Sequence, residues 1–69
     1  MQMVPVSSSN LRAVGYDPVQ MALIVEFTDG SRYAYDQVPE QVYEDLMRAP
    51  SHGKYFHANI RGVFQFRKL

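Results

Sequence analysis

The stretch MALIVEFTDGSRYAYD, Met21 to Asp36, decides how this chain folds. Leu23, Val25 and Phe27 alternate with Ala22, Ile24 and Glu26, the period-two pattern of a strand with one buried face. Asp29-Gly30 then reverses the chain, and Ser31 to Asp36 runs back beside it. Two turn geometries compete. A two-residue primed turn pairs Thr28 with Ser31 and sets Tyr33 and Tyr35 beside Ile24 and Glu26. A three-residue loop, Thr28-Asp29-Gly30, pairs Phe27 with Ser31 and carries both tyrosines to the Leu23, Val25, Phe27 side. The second is expected. It asks only a glycine to adopt positive φ, and it gathers the apolar side chains on one face.

Upstream, Leu11 to Tyr16 is a short strand running into Asp17-Pro18, where the Asp carboxylate can accept from backbone two residues on. Residues 1–7 are expected to be an irregular lead-in. Downstream, Pro39 suits the first position of a helix, with Glu40 at its positive end. Val42, Tyr43, Leu46 and Met47 make one apolar stripe, Glu40, Glu44, Asp45 and Arg48 turning outward. Pro50 ends this helix near Ala49. Ser51 can cap a shorter helix through about Asn59, and Gly62 breaks it. Val63 to Arg67 alternates again, with Phe64 and Phe66 on one side, as a last strand. The expected fold is α+β: a small antiparallel sheet of three to four strands packed on one α-helix, then a second short helix and a C-terminal strand.

The sequence has 69 residues, 46% of them hydrophobic and 20% charged, which suits one domain spanning residues 1–69 with a modest core. It has no cysteine, so packing must hold it without disulfide or thiolate-metal staples. Residues 1–10 lack the basic start and apolar run of a secretory signal, and no segment is apolar for long enough to span a bilayer. A cytoplasmic location is expected. The seven acids all fall within residues 1–45, beside only Arg12 and Arg32, a net of −5. Residues 46–69 hold Arg48, Lys54, Arg61, Arg67 and Lys68 with no acid, a net of +5. That asymmetry points either to an anionic partner or to a basic tail folding back on an acidic helix.

The run SSNLRAVGYD, Ser8 to Asp17, resembles the opening of KTSC domains. So do FTDGSRYAY (Phe27 to Tyr35), VPEQVY (Val38 to Tyr43) and APSHGKYF (Ala49 to Phe56), followed by Ile60-Arg61. The likeness runs in order from about Val6 to Phe66, with the central Tyr33-Ala34-Tyr35 matching the family's YxY mark. The family takes its name from a segment at the C-terminus of some lysyl-tRNA synthetases, and it also occurs as free-standing bacterial proteins. The resemblance implies RNA binding, without an established activity.

Catalysis finds little support. Ser7, Ser8 and Ser9 lack a GxSxG elbow, and nothing fixes His52 or His57 as a base or Asp17 as its orienter. The two histidines are five apart, whereas ligands on one helical turn want three or four, so they are expected to be solvated rather than metal-bound. No cofactor is expected. Tyr33 and Tyr35 are expected beneath the helix rather than open as a base-stacking platform. The better surface lies in the last third, where Lys54, Arg61, Arg67 and Lys68 interleave with Tyr55, Phe56, Phe64 and Phe66. Cations attract phosphates and aromatic faces accept bases, so Lys54, Tyr55, Arg61, Arg67 and Lys68 form the candidate nucleic-acid site. Arg61 leads, because a guanidinium grips phosphate in two places; its plainer role is to lock the tail to Asp36, Glu40 or Asp45. The chain is thus expected to be a non-catalytic module binding RNA, tRNA-like or single-stranded, with no membrane or metal partner. The alternative is a protein-interaction or self-associating domain, a homodimer formed through the outward side of the hairpin with Ile24, Ala34, Arg32 and Glu26.

Overall fold

The structure, a computed structural model, describes residues 2–69. Its central hairpin, Ala22–Phe27 with Arg32–Tyr35, takes the glycine-dependent register. We number the strands β1 (Val4–Pro5), β2 (Leu11–Asp17), β3 (Ala22–Phe27), β4 (Arg32–Tyr35) and β5 (Phe66–Lys68), and the helices α1 (Glu40–Arg48) and α2 (His52–Asn59). Leu23 faces Tyr35 and Val25 faces Tyr33 across β3 and β4. The Phe27 N–H donates to the Ser31 carbonyl, and the Gly30 N–H to the Phe27 carbonyl, each at 2.9 Å. Gly30 has φ +91°, with open space where a Cβ would stand. It is there for its backbone conformation. Ser31 reinforces the loop, donating both its N–H and its hydroxyl to Asp29 Oδ1 at 3.0 and 2.6 Å.

All five strands form one antiparallel sheet in sequence order, with the two helices inserted between β4 and β5. That is one strand more than the sequence suggested. The addition is β1, in the stretch read as an irregular lead-in: Val4 pairs with Val14 and Pro5 with Ala13. Pro5 is tolerated because an edge strand leaves half its amides unpaired. The register between β2 and β3 shifts between Leu11 and Ala13, so Arg12 sits in a bulge. The bulge matters for the core. Leu11 and Val14 are three apart yet both fully buried on one face, which strict alternation forbids.

That face carries Leu11, Val14, Leu23, Val25 and Tyr35, and against it pack Val38, Leu46, Phe56 and Ile60. Both helices therefore cover the same side of the sheet. Tyr43 of α1 stacks on Tyr16 of β2, ring centroids 5.2 Å apart, while the Tyr16 hydroxyl donates to the Val38 carbonyl at 2.6 Å. Pro39 stands one residue before the helix, as its N-cap, rather than at its first position. Pro50 holds Ala49 extended at ψ 142° and so ends α1. Ser51 caps α2 as expected, its hydroxyl accepting from the Lys54 N–H at 3.3 Å.

The tail departs more from expectation. After α2 the chain keeps coiling: the Arg61 N–H donates to the Phe56 carbonyl, and those of Val63 and Phe64 to the Ile60 carbonyl. Gly62, at φ +80°, is the left-handed step inside this coil, which runs on to Phe64. The last strand consequently starts at Phe66 instead of Val63. Phe64 is packed against the core from outside the strand, and Phe66 is left 58% exposed.

On the other face of the sheet, Ile24 and Ala34 are buried, at 7% and 0% exposure. Glu26 lies between Arg12 and Arg32, at 3.6 and 3.5 Å. The outward side of the hairpin thus offers little apolar surface to a second copy. Among the described residues, no helix is long and apolar enough to cross a membrane.

Candidate nucleic-acid interface

The two helices do not cover the whole sheet. A groove of about 490 Å³ stays open between α2, the β3–β4 loop and the outer strands. Its floor is a cluster of five rings. Phe27 meets Tyr33 and Phe56 edge-on, each with centroids 5.6 Å apart, and Phe56 meets Tyr35 edge-on at 5.4 Å. Phe66 leans on Tyr33 and Tyr35 at 5.7 and 5.6 Å. These rings grade from core to solvent: Tyr35 and Phe56 are buried, Phe27 and Tyr33 half-buried, Phe66 exposed. Their geometry is that of favourable aromatic pairs, so the exposed ring stands on a rigid base.

The register of β5 sorts the basic residues. Phe66 faces Tyr35 and Lys68 faces Tyr33, so both share the aromatic side of the sheet. Arg67 faces Ala34 and turns to the opposite side, where it lies 3.9 Å from Asp36. Arg61, just beyond α2, lines the groove and comes within 3.2 Å of His57, its Nη1 donating to His57 Nε2. It makes no salt bridge among the described residues, whether with Asp36, Glu40 or Asp45. Lys54 is exposed on α2 and lines a neighbouring hollow, not this groove. Tyr55 is half-buried and packs against the core, away from the groove. Of the five residues singled out in the sequence, Arg61 and Lys68 thus stand on the side of the rings, and Lys54, Tyr55 and Arg67 stand elsewhere. Four residues that sequence reasoning left out of the site, Phe27, Tyr33, His57 and Phe66, help form it.

The electrostatics follow from the packing. Burial pushes the Tyr35 phenol above its ordinary value, and the Arg61 charge partly opposes this. Asp29, at the rim, is held below the ordinary carboxylate value chiefly by the Ser31 hydroxyl and then the Ser31 N–H, with the Lys68 charge a smaller contribution. Burial raises Tyr55 too, with the Asp45 charge acting in the same sense. Among the described residues, no three His, Asp or Glu side chains converge as a metal site would require.

An antiparallel five-stranded sheet with a helical pair on one face and an open ring-lined groove beside it defines a small α+β module. The chain belongs to the KTSC domain family, whose model matches residues 7–64. A crystal structure of a KTSC domain protein from Yersinia pestis superposes with a TM-score of 0.96 and 40% identity, covering 99% of this chain and 96% of that one. A protein from Tsukamurella paurometabola is 40% identical over 91% of this chain and 94% of its own length. A lysine–tRNA ligase from Nostoc sp. is 44% identical over 88% of this chain, which corresponds to only 11% of that enzyme.

Proposed function

We propose that this protein is a non-catalytic, cytoplasmic module that binds single-stranded RNA, with bases stacking at Phe66 and Tyr33 and phosphates held by Arg61 and Lys68. The observation that carries this reading is the exposed Phe66 ring, braced by two tyrosines, with Arg61 over the same groove and Lys68 on the same face. A ring in water alone is ordinary; a ring on an aromatic base beside cations that make no salt bridge among the described residues suits a nucleotide. A segment like this one inside a lysine–tRNA ligase is consistent with an RNA partner. Two or three phosphate contacts give a log–log salt slope of roughly −1.5 to −2 on single strands.

The test is a titration of isotope-labelled protein with short RNAs, including a tRNA acceptor-stem mimic, at two salt concentrations. Shifts should concentrate at Tyr33, His57, Arg61, Phe66 and Lys68, and weaken with salt. Unmoved resonances at those five positions in low salt would refute RNA binding at this groove.

A further inference from the structure

A second hollow, of about 360 Å³, lies beside the first turn of α2, lined by the serine run, Ser51 and Lys54 among others. Asn10, Gly53 and His57 line both it and the aromatic groove. The two meet where α2 packs closely against the 8–10 loop at Gly53. A Cβ there would come within 3.3 Å of Ser8 Oγ and 3.8 Å of Asn10 Nδ2, across the gap between α2 and the 8–10 loop. Lys54, His57 and Arg61 follow one another at steps of three and four, so they form a single stripe along the exposed side of α2 and the turn continuing it. The 3.2 Å contact between His57 and Arg61 marks the lower part of that stripe. Lys54 stands at its upper end without a salt-bridge partner among the described residues. At 1.5 Å per residue the stripe is about 10 Å long.

We infer that the two hollows are one continuous track for a single-stranded oligonucleotide of about three nucleotides, its phosphates following Lys54, His57 and Arg61 past Gly53. The inference rests on the RNA reading above and extends it from one base to a short chain with a defined path. A polyanion fits this course because the Lys54–His57–Arg61 stripe holds cations at both ends and no acid, the carboxylate of Asp29 lining only the rim of the aromatic groove. His57 contributes at the crossing point, where its ring can turn from Arg61 to a phosphate oxygen.

A length series separates the two claims. Uridine monophosphate, a trinucleotide and a hexanucleotide are titrated at low salt into the wild-type protein and into Lys54→Gln and Gly53→Ala, each checked for an unchanged amide spectrum away from the substitution. Affinity should rise at least tenfold from one to three nucleotides and little beyond. Lys54→Gln should weaken the trinucleotide about fivefold, flatten its salt slope by about 0.7, and leave the monophosphate unchanged. Gly53→Ala should act in the same direction by pushing Ser8 and Asn10 outward where the two hollows meet. If the trinucleotide binds no tighter than the monophosphate, or both variants bind it like the wild type, the track is wrong while the groove reading stands. If no nucleotide of any length moves Tyr33 or Phe66, both fall.

Discussion

Replacing Phe66 with alanine should separate ligand affinity from stability, and the structure sets both magnitudes. Phe66 is 58% exposed, so folding removes only about two-fifths of its surface from water. Full burial of a phenylalanine side chain stabilises by about 1.5–3 kcal/mol, which scales here to about 1 kcal/mol. The tilted contacts with Tyr33 and Tyr35 add up to roughly another 1 kcal/mol. Phe66→Ala should therefore cost about 1–2 kcal/mol. Phe56→Ala, by contrast, empties a 3%-exposed position between Phe27, Tyr35 and the core, and should cost about 3–5 kcal/mol. The affinity effect runs the other way. Loss of one stacked base is worth about 1–3 kcal/mol, or roughly a five- to 150-fold weaker complex. Urea denaturation followed by circular dichroism gives the first quantity, and RNA titration monitored by tyrosine fluorescence gives the second. A folded Phe66→Ala protein that binds RNA as the wild type does would refute the stacking argument. A loss of stability equal to that of Phe56→Ala would show that the ring belongs to the core.

Arg61→Gln and Arg67→Gln should differ sharply, although the two sites are close in sequence. The first should weaken RNA binding by about 1.5–3 kcal/mol, the second by less than 0.5, because β5 turns Arg67 away from the rings; titrations in the same buffer decide it. Gly30→Ala and Gly62→Ala should each cost about 1 kcal/mol, since both glycines have positive φ with open space around them, and thermal unfolding should show a drop of about 4–8 °C. Asp29 is held below its ordinary value of 3.8 in the fold, so its contribution is complete above that pH and disappears as the pH falls through the lower folded value. Stability measured from pH 5 to pH 2 should decline less for Asp29→Asn than for the wild type. Tyr16, Tyr35 and Tyr55 are raised above 10.0, chiefly by burial, so their contributions are complete below that pH and disappear as it climbs past it. Urea midpoints from pH 9 to pH 12 should fall less steeply for Tyr55→Phe.

Much of the fold was legible because its decisive step is local. One glycine selects the hairpin loop, the loop selects the register, and the register decides which face the tyrosines share. The proline and serine at positions 50 and 51 likewise punctuate the helices through effects on their immediate neighbours. What the sequence concealed is non-local. β1 is two residues long and exists because Val14 and Ala13 offer it an edge, which no propensity in Val4-Pro5 announces. The start of β5 depends on how long the chain coils beyond Ile60, here through Phe64, and that choice of register sends Lys68 to the rings and Arg67 away from them. Alternation alone could not tell which of the two adjacent cations would join the groove. His57 was visible in principle, since it precedes Arg61 by four residues; its readings as a base or as a metal ligand with His52 both passed over that relation.

The position of the groove follows from the size of the chain. Seventeen helical residues in two short segments, nine in α1 and eight in α2, must roof five strands. α1 is drawn over β2 and β3 by the Tyr43–Tyr16 stack, and α2 is anchored by Phe56 and Ile60, so the outer end of β4 and all of β5 lie beyond reach. A chain indifferent to ligands would meet that uncovered edge with polar side chains, since exposed rings add a risk of aggregation and little stability. Here the edge carries phenylalanine at the position facing Tyr35 and lysine at the position facing Tyr33. The ring continues the aromatic layer where no helix can cover it, and the lysine keeps the edge soluble while supplying charge of the sign a phosphate needs. A planar, anionic ligand would complete the layer that the helices leave unfinished, which is the physical reason to look for the partner of this domain at β5 rather than on its better-packed faces.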